Sequence, residues 1–183
     1  MAKQSMNMIN LMNYAWEQRG KVDAATFQDQ SRNLLSHAYA DLTNMYDDYC
    51  RRQNVKNEDL IFYTFQEIFV FIMLSDDDFL QGEYDAYCKF CKYAGIQALS
   101  VSDCRALYQR TSVEKLSQNI AFLQELRDTI EPDKYEAMVL GFCYLCLHGD
   151  KAMDENEYYI LRCFFEAGYD YAPSTWEQFK KEW

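Results

Sequence analysis

The sequence of 183 residues contains little proline or glycine, with only 2 Pro and 6 Gly. Because both residues interrupt helices, and β-branched residues are also few, the composition favours helices over sheets. Basic residues are scarce too: 18 Lys and Arg stand against 29 Asp and Glu, which gives a net charge of -11. Such a balance repels phosphate backbones and anionic membranes, so we expect no nucleic acid as a partner.

Long apolar segments are also lacking. The apolar run at residues 138–147 is too short to cross a bilayer. Residues 1–16 contain no uninterrupted apolar stretch of the kind found in signal peptides. We therefore expect no direct membrane insertion and a cytoplasmic location.

Cysteine is present, but in an odd number of 7, which does not favour a disulfide framework. Cys88/Cys91 and Cys143/Cys146 have Cys-x-x-Cys spacing. Both pairs lie within predicted helices among aromatic and aliphatic residues, which favours small buried core side chains. A structural zinc site is the alternative, because cysteines three residues apart share one face of a helix.

Aromatic residues are abundant, with 15 Tyr, 12 Phe and 3 Trp, and they predict an aromatic-rich core. Apolar residues at helical spacing predict a long helix from Ala24 to Arg51, with Asp23 as its N-cap. Residues 58–74 are predicted to form a helix that becomes apolar on all sides at its end. Gly95 is predicted to end a helix, and Ser102 and Thr111 are predicted to begin the next two.

One pattern occurs twice in the chain: a buried helix, an acidic loop, a second helix and an Ala-Gly stop. At an offset of 73 residues, Leu74 falls on Leu147 and Asp77 on Asp150. The repeat predicts an all-α protein, a compact bundle of about 8–9 helices built from two related helix–acidic loop–helix units. We assign these repeats to residues 58–110 and 112–181 of a helical domain at 58–183. Residues 1–57 would form an N-terminal helical extension that packs on the bundle.

The acidic loops are the candidate functional feature. Carboxylates at the end of one helix and the start of the next can converge on a hard cation such as Ca²⁺, Mg²⁺ or Mn²⁺. An EF-hand is excluded, because the twelfth position counted from Asp150 is Leu161 instead of a bidentate glutamate. The alternative is that Asp154 and Glu157 only form a capping box and complement the helix dipole.

The motif Asp150-x-x-Met153-Asp154-x-x-Glu157, following a buried helix, resembles the acidic motif of the tellurite-resistance TerB-like family. In the first loop, a start at Asp76 keeps Glu83 at the motif's last position, whereas a start at Asp77 keeps the offset of 73. We prefer the Asp76 start because it retains the carboxylate. The resemblance covers roughly residues 58–179.

The resemblance implies a helical bundle that binds a divalent cation and acts in bacterial stress response or defence, beside protein partners. Its metal ligands would be Asp76, Asp77, Glu83, Asp150, Asp154 and Glu157. No catalytic activity is implied. A metal-free protein-interaction module with the same fold is the first alternative. A carboxylate-based enzyme is the second, although no nucleophile or cofactor motif accompanies the carboxylates.

Overall fold

The computed structural model describes residues 8–56, 59–75, 79, 81–147, 153–165 and 173–183. Within these ranges 82% of the residues are helical and none is in a strand, which confirms the predicted all-α bundle. The nine helices described are α1 (Met8–Arg19), α2 (Ala24–Gln53), α3 (Leu60–Met73), α4 (Gln81–Ala94), α5 (Val101–Arg110), α6 (Val113–Thr129), α7 (Pro132–Cys146), α8 (Glu155–Phe165) and α9 (Trp176–Glu182).

The longest helix, α2, packs along α7 and also contacts α4. It begins as predicted, since the Asp23 carboxylate accepts a hydrogen bond from the backbone N–H of Thr26 at 3.0 Å. Gly141 of α7 faces Leu35 of α2 so closely that an added Cβ would lie 2.6 Å from the leucine side chain. The absence of a side chain at Gly141 therefore sets the distance between the two central helices.

An aromatic cluster fills the space between α3, α4 and α7. Phe69 lies 4.7 Å from Phe90 and 5.3 Å from Phe142, measured between ring centroids. Phe65 lies 5.3 Å from Phe142 and is also buried. The end of α3, residues 68–73, is apolar on all sides and buried except for the half-buried Phe71, as predicted.

Short-range hydrogen bonds fix where the helices end and begin. Gly95 has φ +71° and ends α4 in a Schellman motif, in which the N–H of Ile96 donates to the carbonyl of Cys91 at 2.9 Å. The predicted starts of α5 and α6 were wrong by one or two residues. Ser100 caps α5 instead of Ser102, and Ser112 caps α6 instead of Thr111.

Two hydrogen bonds explain why Ser112, and not Thr111, caps α6. The hydroxyl of Thr111 donates to the carbonyl of Leu107 at 2.9 Å, so it serves the end of α5. The hydroxyl of Ser112 is left to accept from the N–H of Lys115 at 3.2 Å. A hydroxyl between two closely spaced helices can serve either of them, and sequence spacing does not say which.

Residues of α1 and α2 share one hydrophobic core with those of the later helices. Met12 of α1 and Leu42 of α2 are fully buried, as is Phe142 of α7. The proposed division of the chain at residue 57 and the exact limits of the repeats stay predictions. Among the described helices, none combines the length and the apolar character needed to span a membrane.

Candidate metal site at the acidic loops

Half of the six predicted metal ligands lie in the described part of the chain. Glu83 stands in the first turn of α4 and Glu157 in the first turn of α8, and Asp154 directly precedes α8. All three are half-buried. The other three, Asp76, Asp77 and Asp150, lie outside the described residues.

The second loop enters α8 through a reciprocal capping box. Asp154 Oδ1 accepts a hydrogen bond from the N–H of Glu157 at 2.8 Å. In return, Glu157 Oε2 accepts from the N–H of Asp154 at 2.9 Å. This confirms the predicted box and orients both carboxylates at the start of the helix. Met153, the apolar position of the motif, is 3% exposed and anchors the loop in the core.

The two repeats share a second contact that the sequence did not reveal. The hydroxyl of Tyr84 in α4 donates to the carbonyl of Leu99 at 2.9 Å. The hydroxyl of Tyr158 in α8 donates likewise to the carbonyl of Pro173. Tyr158 lies 74 residues after Tyr84, and Pro173 lies 74 residues after Leu99.

The same offset of 74 pairs Glu83 with Glu157, each directly before its tyrosine. It also pairs Phe90 with Phe164, both of which are 1% exposed. The preceding helices keep the offset of 73, since α3 ends at Met73 and α7 at Cys146. The connection from α7 to α8 is therefore one residue longer than that from α3 to α4, and a sequence offset of 74 also aligns Asp76 with Asp150.

Cys146 is the last residue of α7 and is buried. Burial is the main cause that raises the pKa of its thiol well above the usual value, followed by the negative charge of Glu157. Asp154 and Glu83 raise the pKa of this thiol further. The largest of these effects is burial, which agrees with Cys146 being a core residue.

The cysteine pairs lie in the core. Cys91, Cys143 and Cys146 are buried and Cys88 is half-buried. Burial raises the pKa of Cys143 and of Cys91 to about 12. A raised pKa favours the neutral thiol, the form expected of a cysteine that packs as a small core side chain. Their burial among apolar residues agrees with the core interpretation.

One buried carboxylate was not singled out from the sequence. Glu67 lies in α3 and is 5% exposed. It accepts a hydrogen bond from the side-chain amide of Asn119, and Lys115 Nζ lies 3.7 Å from its Oε1. The polar pair Gln66-Glu67 within an apolar run was the available signal. Because both polar partners belong to α6, Glu67 is explained as a link between α3 and α6.

The described residues hold no group of three histidine, cysteine or acidic side chains arranged to bind a metal. Three of the predicted ligands fall outside those ranges, so the complete ligand set stays a prediction. The oxygens at the starts of α4 and α8 are of the type that hard cations prefer. Comparisons of this chain with protein-family models, with curated proteins and with solved structures found no match.

Proposed function

We propose that this chain is a non-enzymatic, TerB-like helical module that binds a divalent cation through its paired acidic loops. The observation that carries the proposal is the placement of three carboxylates at the starts of two matching helices: Glu83 and Glu157 each lie in the first turn, directly before a tyrosine that donates to a carbonyl 15 residues later, and Asp154 precedes α8. Two of these carboxylates belong to the second loop and one to the first. The remaining proposed ligands are Asp76, Asp77 and Asp150.

Electrostatics supports a cation between the loops. Carboxylates that are held close together repel one another, and a counter-ion removes that cost. The chain already carries a net charge of -11, so local repulsion adds to an unfavourable overall field. Oxygen-only ligands favour Ca²⁺, Mg²⁺ or Mn²⁺ over softer metals.

The wider role rests on the resemblance to the TerB-like family. We propose a part in a bacterial stress-response or defence system, in the cytoplasm, where the module acts through protein partners. The motif Asp150-x-x-Met153-Asp154-x-x-Glu157 supports this role, together with its partial recurrence before Glu83.

Isothermal titration calorimetry with Ca²⁺, Mg²⁺ and Mn²⁺ tests the site directly. The parent should bind one of these cations, and the double variant Asp150→Asn, Glu157→Gln should lose most of the affinity because two charged ligands become neutral. The control is Glu155→Gln, since Glu155 lies in the same helical turn but is exposed. Absence of binding by the parent, or equal binding by the double variant, contradicts the proposal.

A metal-free interaction module is the second candidate, and the capping box favours it. Asp154 and Glu157 each use one oxygen to satisfy a backbone N–H, which is a sufficient structural role for both. Under this alternative the parent binds none of the three cations. The double variant is then less stable than the parent in every buffer, because neutral caps complement the helix dipole less well.

A further inference from the structure

A groove of about 640 Å³ lies beside the segment that connects α4 to α5. Its walls include the aromatic rings of Phe62, Tyr63 and Tyr84, and its polar lining includes Gln66 and Asp103. None of these residues belongs to the candidate metal site. The groove therefore offers a binding surface that is independent of the acidic loops.

Three hydrogen bonds hold the floor of the groove. The carbonyl of Leu99 accepts from Tyr84 at 2.9 Å, and the N–H of Leu99 donates to the hydroxyl of Tyr87 at 3.1 Å. The carbonyl of Gln97 accepts from Gln66 Nε2 at 3.3 Å. The connecting segment is thus fixed in place, and the surface is preorganised for a ligand.

Gln66 presents an acceptor to this groove. Its side chain is assigned unambiguously, because the carbonyl of Gln97 can only accept and must face the amide nitrogen. The same nitrogen donates to the hydroxyl of Tyr87 at 3.3 Å. Gln66 is 5% exposed, and its Oε1 receives no hydrogen bond from any residue that the structure describes. The amide oxygen of Gln66 can therefore accept a hydrogen bond from a group that enters the groove.

Among the described residues that line the groove, Asp103 is the only charged one, and it is exposed. Its Oδ2 accepts from the hydroxyl of Ser100 at 2.6 Å. Across the described ranges it forms no ion pair, and its Oδ1 receives no hydrogen bond. The described lining therefore combines a carboxylate with an amide acceptor and includes no positively charged side chain.

The aromatic walls complete a site for a flat cation. Tyr63 is 52% exposed, and its ring centroid lies 5.1 Å from that of the neighbouring Phe62. A guanidinium group stacks on aromatic faces and donates up to five hydrogen bonds, so it matches rings and acceptors at once. The net charge of -11 attracts cationic partners at long range. We propose that this groove binds an arginine side chain presented by a partner protein.

The test uses the full chain, labelled with ¹⁵N, in the presence of a chelator so that metal binding plays no part. It is titrated with the peptide Gly-Ser-Arg-Ser-Gly and with the same peptide carrying citrulline in place of arginine. The arginine peptide should shift the backbone amide signals of residues 97–103, and the citrulline peptide should bind about tenfold more weakly because it lacks the charge. Equal shifts from both peptides, or shifts located elsewhere, overturn the proposal.

Two variants locate the binding in the groove. Asp103→Asn should weaken the arginine peptide about tenfold, and Tyr63→Ala should weaken it several-fold. The matched controls are Glu114→Gln, in the first turn of α6, and Tyr93→Ala, whose side chain is 68% exposed outside the lining. Both controls should bind like the parent. If Glu114→Gln weakens binding as much as Asp103→Asn, the attraction is only that of an acidic surface, and the arginine site is rejected.

Discussion

Gly141 has only a hydrogen atom as its side chain, and this allows α2 and α7 to pack closely. Gly141→Ala would place a methyl group 2.6 Å from the buried Leu35 side chain. Overpacking of this kind costs about 1–3 kcal/mol. We expect the free energy of unfolding, measured by urea denaturation, to fall by that amount although alanine is the better helix former.

Gly82 provides the control for this prediction. It also lies within a helix, α4, but a Cβ added there meets no atom within 4 Å. Gly82→Ala should therefore be neutral or slightly stabilising, because Gly82 is the second residue of α4 and helix propensity counts less there than in a helix interior. If both variants were equally stable, the close contact at Gly141 would have no energetic consequence.

Two buried tyrosines, Tyr135 and Tyr87, should respond differently to replacement by phenylalanine. The hydroxyl of Tyr135 has no hydrogen-bond partner among the described residues, whereas the hydroxyl of Tyr87 accepts from Leu99 and from Gln66. Tyr135→Phe removes a buried polar group without a partner, so it should leave stability unchanged or raise it. Tyr87→Phe leaves two donors without their acceptor and should cost about 1–3 kcal/mol. Urea denaturation of both variants, with unchanged m-values, measures the difference.

A loss of stability in Tyr135→Phe equal to that in Tyr87→Phe would contradict this account. It would mean that the hydroxyl of Tyr135 contributes as much to the native state as that of Tyr87. The substitution keeps the ring in place, so packing changes little in either variant.

At the scale of the helix, the junction between α5 and α6 gives a sharp test. Ser112→Ala removes the N-cap of α6 and should cost about 1 kcal/mol. Thr111→Ala removes a bond to the last turn of α5 and should cost less, because that carbonyl can accept from water instead. Thermal denaturation of the two variants ranks them. If Thr111→Ala were the more destabilising of the two, Thr111 would be the N-cap of α6.

The helices were predictable where one periodicity dominated. The apolar spacing from Phe27 to Tyr46 predicted α2 closely, because a long amphipathic stripe has one way to face the core. The caps were less predictable, since Thr111 and Ser112 are chemically similar neighbours and only the turn geometry distinguishes them. The bond from Tyr84 to Leu99 could not be predicted, because it joins residues whose approach depends on the packed fold.

The candidate site was predictable in part for a related reason. The capping box of Asp154 and Glu157 is local, so its spacing was enough to predict it. Glu83 and Glu157 occupy matching places in the first turns of α4 and α8, whereas the sequence alone left the register of the first loop open between Asp76 and Asp77. The groove at Gln66 was not predicted, since its lining comes from three separate segments.

For the whole molecule, the proposed cation should act as a stabilising ligand. At a hundredfold excess over the dissociation constant, binding adds about 2.7 kcal/mol to the free energy of unfolding. For a chain of this size that gain raises the melting temperature by roughly five to ten degrees. Differential scanning calorimetry of the parent with and without cation measures it.

The double variant Asp150→Asn, Glu157→Gln completes this comparison. Without cation it should melt at or above the parent's temperature, because repulsion between carboxylates is relieved. With cation it should show little of the parent's gain. If none of the three cations changes the melting temperature of the parent, and the double variant melts lower in every buffer, the carboxylates act only as helix caps.

The rate at which the buried cysteines are alkylated measures how often the protein unfolds. Five thiols are buried and two, Cys88 and Cys163, are half-buried. An alkylating reagent attacks thiolates that it can reach, so the five buried groups react only when the structure opens. Mass spectrometry that follows the third and later alkylation events over time would therefore report how often the native bundle unfolds, with no label or substitution.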